Sequence, residues 1–402
     1  MTTGLEDTAA AASRTRRYPS VHIVEEGMRE GMQIESADIT VADKIRLLDS
    51  LSATGLETIV VGSFVSPKWT PQMAGIDEIL AGFRPAPGVH YTALALNQRG
   101  RERMGEYVPP LSAAGDLPRT LVHLCDVFVQ RNTNRSQIDE VDEWPRVIER
   151  AVADGHTEAA VGINAAWGSN WLGPFDESYR MEMLGRQIDM WHAAGLKVSR
   201  VWIGDPMAWN VPDQVASQLR AIQERWPEIT TFHLHLHDAR GVALVSAYEA
   251  ILALDPKRTL ILDSSIGGMG GCPYGGHGRM TRMIPTEDLV DLLHELGIPT
   301  GVDLDRLIES AYLAEEVVGH PLWGHVSKVG QRPRGARLFP MEMPFVETEL
   351  QAQHFRLGPG VYAGALSPWS APITSPVRVA VENGEEPGAA AIRLLDAHDS
   401  RT

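Results

Sequence analysis

Thr230-Thr231-Phe232-His233-Leu234-His235-Leu236-His237-Asp238 is an extended run in which histidine recurs at every second position. Side chains alternate across a strand, so His233, His235 and His237 share one face. Imidazoles separated by one residue at a strand end are spaced to bind one divalent metal. Asp238-Ala239-Arg240-Gly241 then turns the chain into a helix-like segment. His235 and His237 are the ligand candidates, and a strand-end pair that merely hydrogen-bonds is the plain alternative. His233 lies one layer deeper, where a satisfied core histidine is as good a reading as a ligand or a supporting group, so it is left off the metal set. Neutral imidazole suits Mg²⁺ poorly alone but works for Mn²⁺, Zn²⁺ or Mg²⁺ when carboxylate oxygens complete the shell.

Working outward, short β-branched runs alternate with amphipathic ones from Val21 to about Glu316, the pattern of repeated βα units on a parallel sheet. Eight strands are expected: Val21–Glu26, Thr58–Phe64, Val89–Leu96, Thr120–Val127, Ala159–Ala165, Lys197–Gly204, Thr231–Asp238 and Thr259–Ser264. Eight strands with eight crossovers predict an α/β fold, a (β/α)₈ TIM barrel over residues 19–330, with a doubly wound open sheet as the competing topology. A barrel collects chemistry where strands end. Arg29 and Glu30 follow strand one, Ser63 to Lys68 strand two, Asn97 strand three, Cys125 and Asp126 strand four, Asn164 strand five and Asp205 strand six. Strand eight runs into Gly267-Gly268-Met269-Gly270-Gly271-Cys272-Pro273-Tyr274, a loop able to approach a ligand closely or act as a lid.

Residues 1–18 read as a flexible lead. Residues 331–402 read as a Pro-containing extension whose scattered aromatics argue for order up to about Arg378, with disorder expected past Glu382. A formal charge of −16 argues against nucleic acid or an anionic membrane as partner. Two cysteines make no disulfide framework, and with no apolar leader or span the expected setting is a reducing cytoplasm. Large barrels with aromatic arms often associate, so a homo-oligomer is one open reading.

Glu30, in Met28-Arg29-Glu30-Gly31-Met32-Gln33, is the natural oxygen partner for the histidines, and Arg29 would present a fixed cation to an enolate or oxyanion. An exposed Arg-Glu turn is the plain alternative. Asp205 reads as an orienting or proton-transfer group, or as a cap on its own loop. Cys272 reads as an acid or thiolate in a mobile loop, or as an inert small apolar residue. Lys68, Arg131, Arg135, Arg279 and Arg282 fall on expected βα loops, where an anionic substrate or simply solvent would meet them. Trp167, Trp171 and Trp209 suggest an apolar, bulky acyl group.

Taken together, Glu26-Gly27-Met28-Arg29-Glu30-Gly31-Met32-Gln33, Ser63-Phe64-Val65-Ser66-Pro67-Lys68-Trp69, Gly204-Asp205, His235-Leu236-His237-Asp238 and Gly270-Gly271-Cys272-Pro273-Tyr274 resemble, in that order, the 3-hydroxy-3-methylglutaryl-CoA lyases of the DRE-TIM metallolyase group. The resemblance spans about Val21 to Val329. It implies a divalent metal, Mg²⁺ or Mn²⁺ with Zn²⁺ admissible, and cleavage of a 3-hydroxyacyl-CoA into an acyl-CoA and a carbonyl product. It implies metal ligation by Glu30, His235 and His237, and catalytic roles for Arg29, Asp205 and Cys272. Ser63, Lys68, Asn164 and Gln33 are assigned to substrate binding. Glutamate at position 30, where these lyases carry aspartate, resembles the condensing branch, so a Claisen-type enzyme joining an acyl-CoA to a 2-oxo acid is one alternative. Val60 replaces a strand-two glutamate, and the metal-binding asparagine expected after the glycine-rich loop has no counterpart, with His277 or Thr281 as substitutes. A catalytically silent binding barrel is therefore the other alternative.

Overall fold

The computed structural model describes residues 17–95, 98–113 and 117–399. The expected flexible lead up to residue 16, and Asn97, lie outside the described residues. The chain divides into two compact units, residues 1–327 and 328–402.

In the first unit the strands of the main sheet are β1 (Ser20–Glu25), β2 (Thr58–Ser63), β3 (His90–Leu94), β4 (Arg119–His123), β5 (Glu158–Asn164), β6 (Lys197–Asp205), β7 (Thr231–Leu236) and β8 (Thr259–Ser264), and Gly168–Ser169 with Gly173–Pro174 forms a separate two-residue antiparallel pair. They pair in parallel in the order β3-β2-β1-β8-β7-β6-β5-β4. A doubly wound sheet would place the first strand in its interior next to a middle strand. Here the first strand pairs with the last, from Ser20↔Thr259 to Glu25↔Ser264, which is the cyclic order of a (β/α)₈ barrel. Among the described residues only the β3–β4 seam carries no ladder bonds.

Local chemistry explains the elements. Thr40 caps the helix Val41–Ser52 by accepting from Asp43 N–H, and Ser136 with Asp139 forms a capping box on Gln137–Ala153. Pro212 opens the helix Pro212–Arg225, where its missing N–H costs nothing. These helices bury Leu47, Leu48, Leu51, Val215, Leu219 and Ile222 against the outer face of the sheet. On β7 the alternation is complete: Phe232, Leu234 and Leu236 are fully buried in that outer core, while His233 and His235 face inward.

Only Thr259–Ser264 has both ends as expected; most other ends shift by one or two residues, and two of the differences have a visible cause. Strand four ends at His123 instead of Val127, because Cys125 Sγ accepts from Phe128 N–H at 3.3 Å and starts a helix at Asp126. Strand seven ends at Leu236, and His237 steps off it into a lone antiparallel bridge with Met283.

In the second unit the aromatics expected to give order pack on one another, with Phe345 and Trp369 centroids 5.1 Å apart and Phe339 and His354 4.4 Å apart. The expected disorder past Glu382 is corrected: Pro387–Asp399 is a helix. Composition hid it, but Ala390 is fully buried and Arg393 pairs with Glu385 at 2.8 Å, so a short alanine-rich segment finds a packing face. Among the described residues no helix is long and apolar enough to cross a membrane.

Because Phe232 fills the layer behind the histidines, Phe232→Ala is expected to cost about 3–5 kcal/mol by leaving a cavity, read as a lowered denaturant midpoint.

Candidate metal centre and active site

Glu30 sits on a tight turn, Gly27–Gly31, that follows β1. Gly27 makes the turn possible: its N–H donates to Glu25 Oε1 at 2.7 Å, and a Cβ there would lie 2.5 Å from that same oxygen. Glu25 also accepts from Ile266 N–H at 2.9 Å and Thr286 Oγ1 at 2.5 Å, tying the end of β1 to the loop after β8. Burial pushes its carboxyl up to about 7.

This turn places Glu30 opposite the histidine run. Glu30 Oε1 lies 3.7 Å from His237 Nε2, and ligand atoms of Glu30, His235 and His237 all fall within 4.8 Å of one another, each residue buried. The imidazoles are oriented from behind. His237 Nδ1 donates to the Thr281 carbonyl at 3.2 Å, and His235 Nδ1 to Asp263 Oδ2 at 2.8 Å, so each Nε2 keeps its lone pair toward Glu30. Buried His237 Nε2 makes no hydrogen bond among the described residues. Burial, reinforced by His235, lowers the His237 pKa to about 4, which keeps the ring neutral as a ligand must be. Burial pushes the Glu30 carboxyl up, but Arg29 and the two histidines more than offset it, leaving an anion. Burial disfavours a charged His235, but Asp263 and Glu30 more than offset it and raise its pKa, so a metal would have to displace a proton from that ring. A neutral His237, a His235 that yields its proton and one buried carboxylate fit a divalent cation.

Arg29 is held by Glu26, whose Oε2 lies 2.8 Å from Arg29 Nε, and by a short contact with Glu30. Burial disfavours its charge, but Glu26 and Glu30 outweigh that and raise its pKa, so the guanidinium is a fixed cation. Gln33 bonds to Glu30, Ser63 Oγ is buried at the end of β2 with no hydrogen-bond partner among the described residues, and Asn164 closes β5. Lys68 instead lies exposed along the Trp69 ring.

The glycine-rich loop is folded over this corner. Gly271 has φ +149°, and a Cβ there would strike the Gly278 carbonyl. Thr281, weighed as a substitute for the missing asparagine, serves through its backbone carbonyl to His237 and through Oγ1, which accepts Cys272 N–H at 3.0 Å. His277 caps a short turn, Gly278–Thr281. Cys272 is buried, and burial together with the Glu30 charge pushes its thiol up to about 12, so of the acid and thiolate readings the structure supports the acid. Asn170 Nδ2 donates to the Gly275 carbonyl at 2.6 Å and Arg131 Nε to that of Tyr274 at 3.1 Å, latching the loop.

Asp205 is buried with both oxygens taken: Oδ1 accepts Trp209 N–H at 3.0 Å, and Oδ2 accepts Asn210 N–H and Nδ2, each at 2.7 Å. Asn210 Nδ2 also donates to the His237 carbonyl at 2.9 Å. Of its two readings the capping one is what the contacts display. Arg279 pairs with Glu35 at 2.8 Å, Arg282 stacks on Trp323 at 4.2 Å, and Arg135 meets Asp139 and Glu143. Trp167 is buried, Trp209 is held by Asn170 at 3.0 Å, and Trp171 keeps a third of its surface.

Sequence reasoning missed Glu26 and Asp263. Asp263 had a signal, a charge in an otherwise apolar strand. These two and His235 form a second set of clustered ligand atoms, but their oxygens are already engaged: Glu26 by Arg29, Asp263 by two imidazoles.

Comparison with known proteins agrees with this geometry. Residues 20–313 match the HMGL-like family model. A Pseudomonas aeruginosa 3-hydroxy-3-isohexenylglutaryl-CoA/hydroxy-methylglutaryl-CoA lyase is 36% identical over 300 residues, covering 74% of this chain and 93% of the relative. A Chloroflexus aurantiacus (R)-citramalyl-CoA lyase is 33% identical over 323 residues, 77% of this chain and 95% of the relative. Among solved structures, hydroxymethylglutaryl-CoA lyase from Pseudomonas aeruginosa superposes with a TM-score of 0.64 at 34% identity, over 78% of this chain and 98% of that one. An HMG-CoA lyase from A. baumannii, solved in complex with coenzyme A and 3-methylmalate, superposes with a TM-score of 0.65 at 25% identity, over 82% and 99%. The chain belongs to the HMGL-like family of carbon–carbon lyases.

Proposed function

We propose that this protein cleaves a 3-hydroxyacyl-CoA bearing a methyl or larger substituent at C3, with Mg²⁺ or Mn²⁺ held by Glu30, His235 and His237. The observation that carries the reading is the convergence of those three buried ligands beside one fixed cation and one protonated thiol. The family is divalent-metal dependent, and such an ion supplies Lewis-acid polarisation of the substrate's hydroxyl and carbonyl oxygens.

The residues then divide the work. As the hydroxyl gives up its proton, with solvent as the final acceptor, the C2–C3 bond breaks, its electron pair passes to the acyl-CoA fragment as an enolate, and C3 leaves as a carbonyl. Arg29, pinned by Glu26 and Glu30, faces the growing charge without having to reorganise. Cys272, kept protonated by burial, delivers its proton to the enolate carbon and is reprotonated from solvent. The latched loop shields that carbanion equivalent from bulk water. Asp205 acts through Asn210, holding the end of β7 where His237 leaves it. Ser63, Asn164 and Gln33 are the nearby polar groups left to orient the acyl chain. The larger substituent is supported by the isohexenylglutaryl relative and by partly exposed Trp171. Lyase relatives favour cleavage over the condensing alternative, and an oriented, neutral His237 argues against a silent barrel.

The full chain incubated with Mn²⁺ and 3-hydroxyacyl-CoAs of graded C3 substituent is expected to release acyl-CoA. Turnover only of acyl-CoA plus 2-oxo acid in the condensing direction would overturn the reading, and turnover of 3-hydroxy-3-methylglutaryl-CoA alone would remove the larger substituent from it. Cys272→Ala is expected to lower kcat by about 10²–10⁴ with KM little changed, the signature of a lost proton donor. Arg29→Gln is expected to cost roughly 10²–10³ in kcat, measured in the same assay. His235→Ala should abolish stoichiometric Mn²⁺ binding in equilibrium dialysis.

A further inference from the structure

His233 has no part in the reaction as proposed, yet it is bonded into the centre. Its Nε2 lies 2.6 Å from Asp263 Oδ1, while the other oxygen of Asp263, Oδ2, accepts from His235 Nδ1 at 2.8 Å. Register explains the meeting. On paired strands Ile261 stands opposite His233 and Leu262 opposite Leu234, so Asp263, one residue further along β8, reaches both inward-facing imidazoles. The Trp202 indole packs against the same two rings, 6.5 Å from His233 and 5.9 Å from His235 between centroids.

We infer that His233 is a positioning residue for the metal centre, acting through Asp263 to fix the orientation of His235. A carboxylate held at one oxygen can rotate about its Cβ–Cγ bond and carry its partner with it. Held at both oxygens by donors from alternate positions of one strand, its plane is set. The plane in turn sets the His235 ring and leaves Nε2 aimed at Glu30. Asp263 is 3% exposed, so few other donors can replace His233 there. Burial pushes the Asp263 carboxyl up, and the two imidazoles more than reverse it, holding it well below the usual carboxylate range. Partners that orient a ligand from behind commonly change metal affinity by about 10–100-fold when lost.

The inference rests on Glu30, His235 and His237 being the metal ligands, and its test reads binding instead of turnover. Mn²⁺ affinity is measured by titration calorimetry and by the electron paramagnetic resonance signal of free Mn²⁺ for wild type, His233→Phe and His233→Gln, with circular dichroism confirming each fold. Phenylalanine keeps the ring against Trp202 and removes the donor, whereas glutamine keeps an N–H that can reach Asp263. Roughly tenfold weaker binding by His233→Phe, with His233→Gln close to wild type, is expected. Equal affinity of the phenylalanine variant and wild type overturns the inference alone. Equal loss in both variants overturns it too, since the hydrogen bond would then not be what matters. A wild-type chain that binds no Mn²⁺ overturns the ligand assignment and this inference with it.

Discussion

Three carboxylates, Glu26, Glu30 and Asp263, are buried within one corner of the barrel mouth, each under 7% exposed. Removing one carboxylate from water costs several kcal/mol unless charge and hydrogen bonds replace what is lost. Most of the site can be understood as that replacement. Arg29 lies between Glu26 and Glu30, and His233 and His235 divide the two oxygens of Asp263. The protein groups leave a surplus of negative charge beside two imidazole lone pairs. A divalent cation is the chemistry that such a surplus accepts.

The same constraint separates the acid from the ligands. Burial drives the Cys272 thiol up and the His237 imidazolium down, so one group keeps its proton and the other gives it up. A neighbouring anion, Glu30, raises the thiol further. One environment thus prepares a proton donor and a metal ligand within one loop's reach, joined through the two faces of Thr281. Arg29 differs because its charge is compensated on two sides, which lets it stay cationic where an unpaired guanidinium would be too costly.

Much of this was legible in the chain. Period-two histidines predicted an inward face at the end of a strand, and the structure has Phe232, Leu234 and Leu236 outside and His233 and His235 inside. Eight β-rich runs predicted the eight strands of the main sheet, and the element most exactly placed was Thr259–Ser264. Asp205 illustrates the limit: a lone aspartate after a strand reads as catalytic or as a cap, and only the amides of Trp209 and Asn210 display the cap. The helix Pro387–Asp399 illustrates another, since composition cannot reveal a packing partner.

By itself the sequence determined which residues face which side, because alternation along a strand is a local property of the backbone. It also determined the order of the motifs and hence the lyase resemblance. Tertiary structure alone decided which residues meet. Glu30 and His237 are more than two hundred positions apart and touch only because β1 closes on β8, with β7 alongside. Asp263 joined His233 to His235 through inter-strand register, a relation between two chain segments that no single segment encodes. Whether a buried charge is tolerated depends on partners brought from elsewhere in the chain, and so the roles of Glu26 and Asp263 came into view only once the barrel was folded.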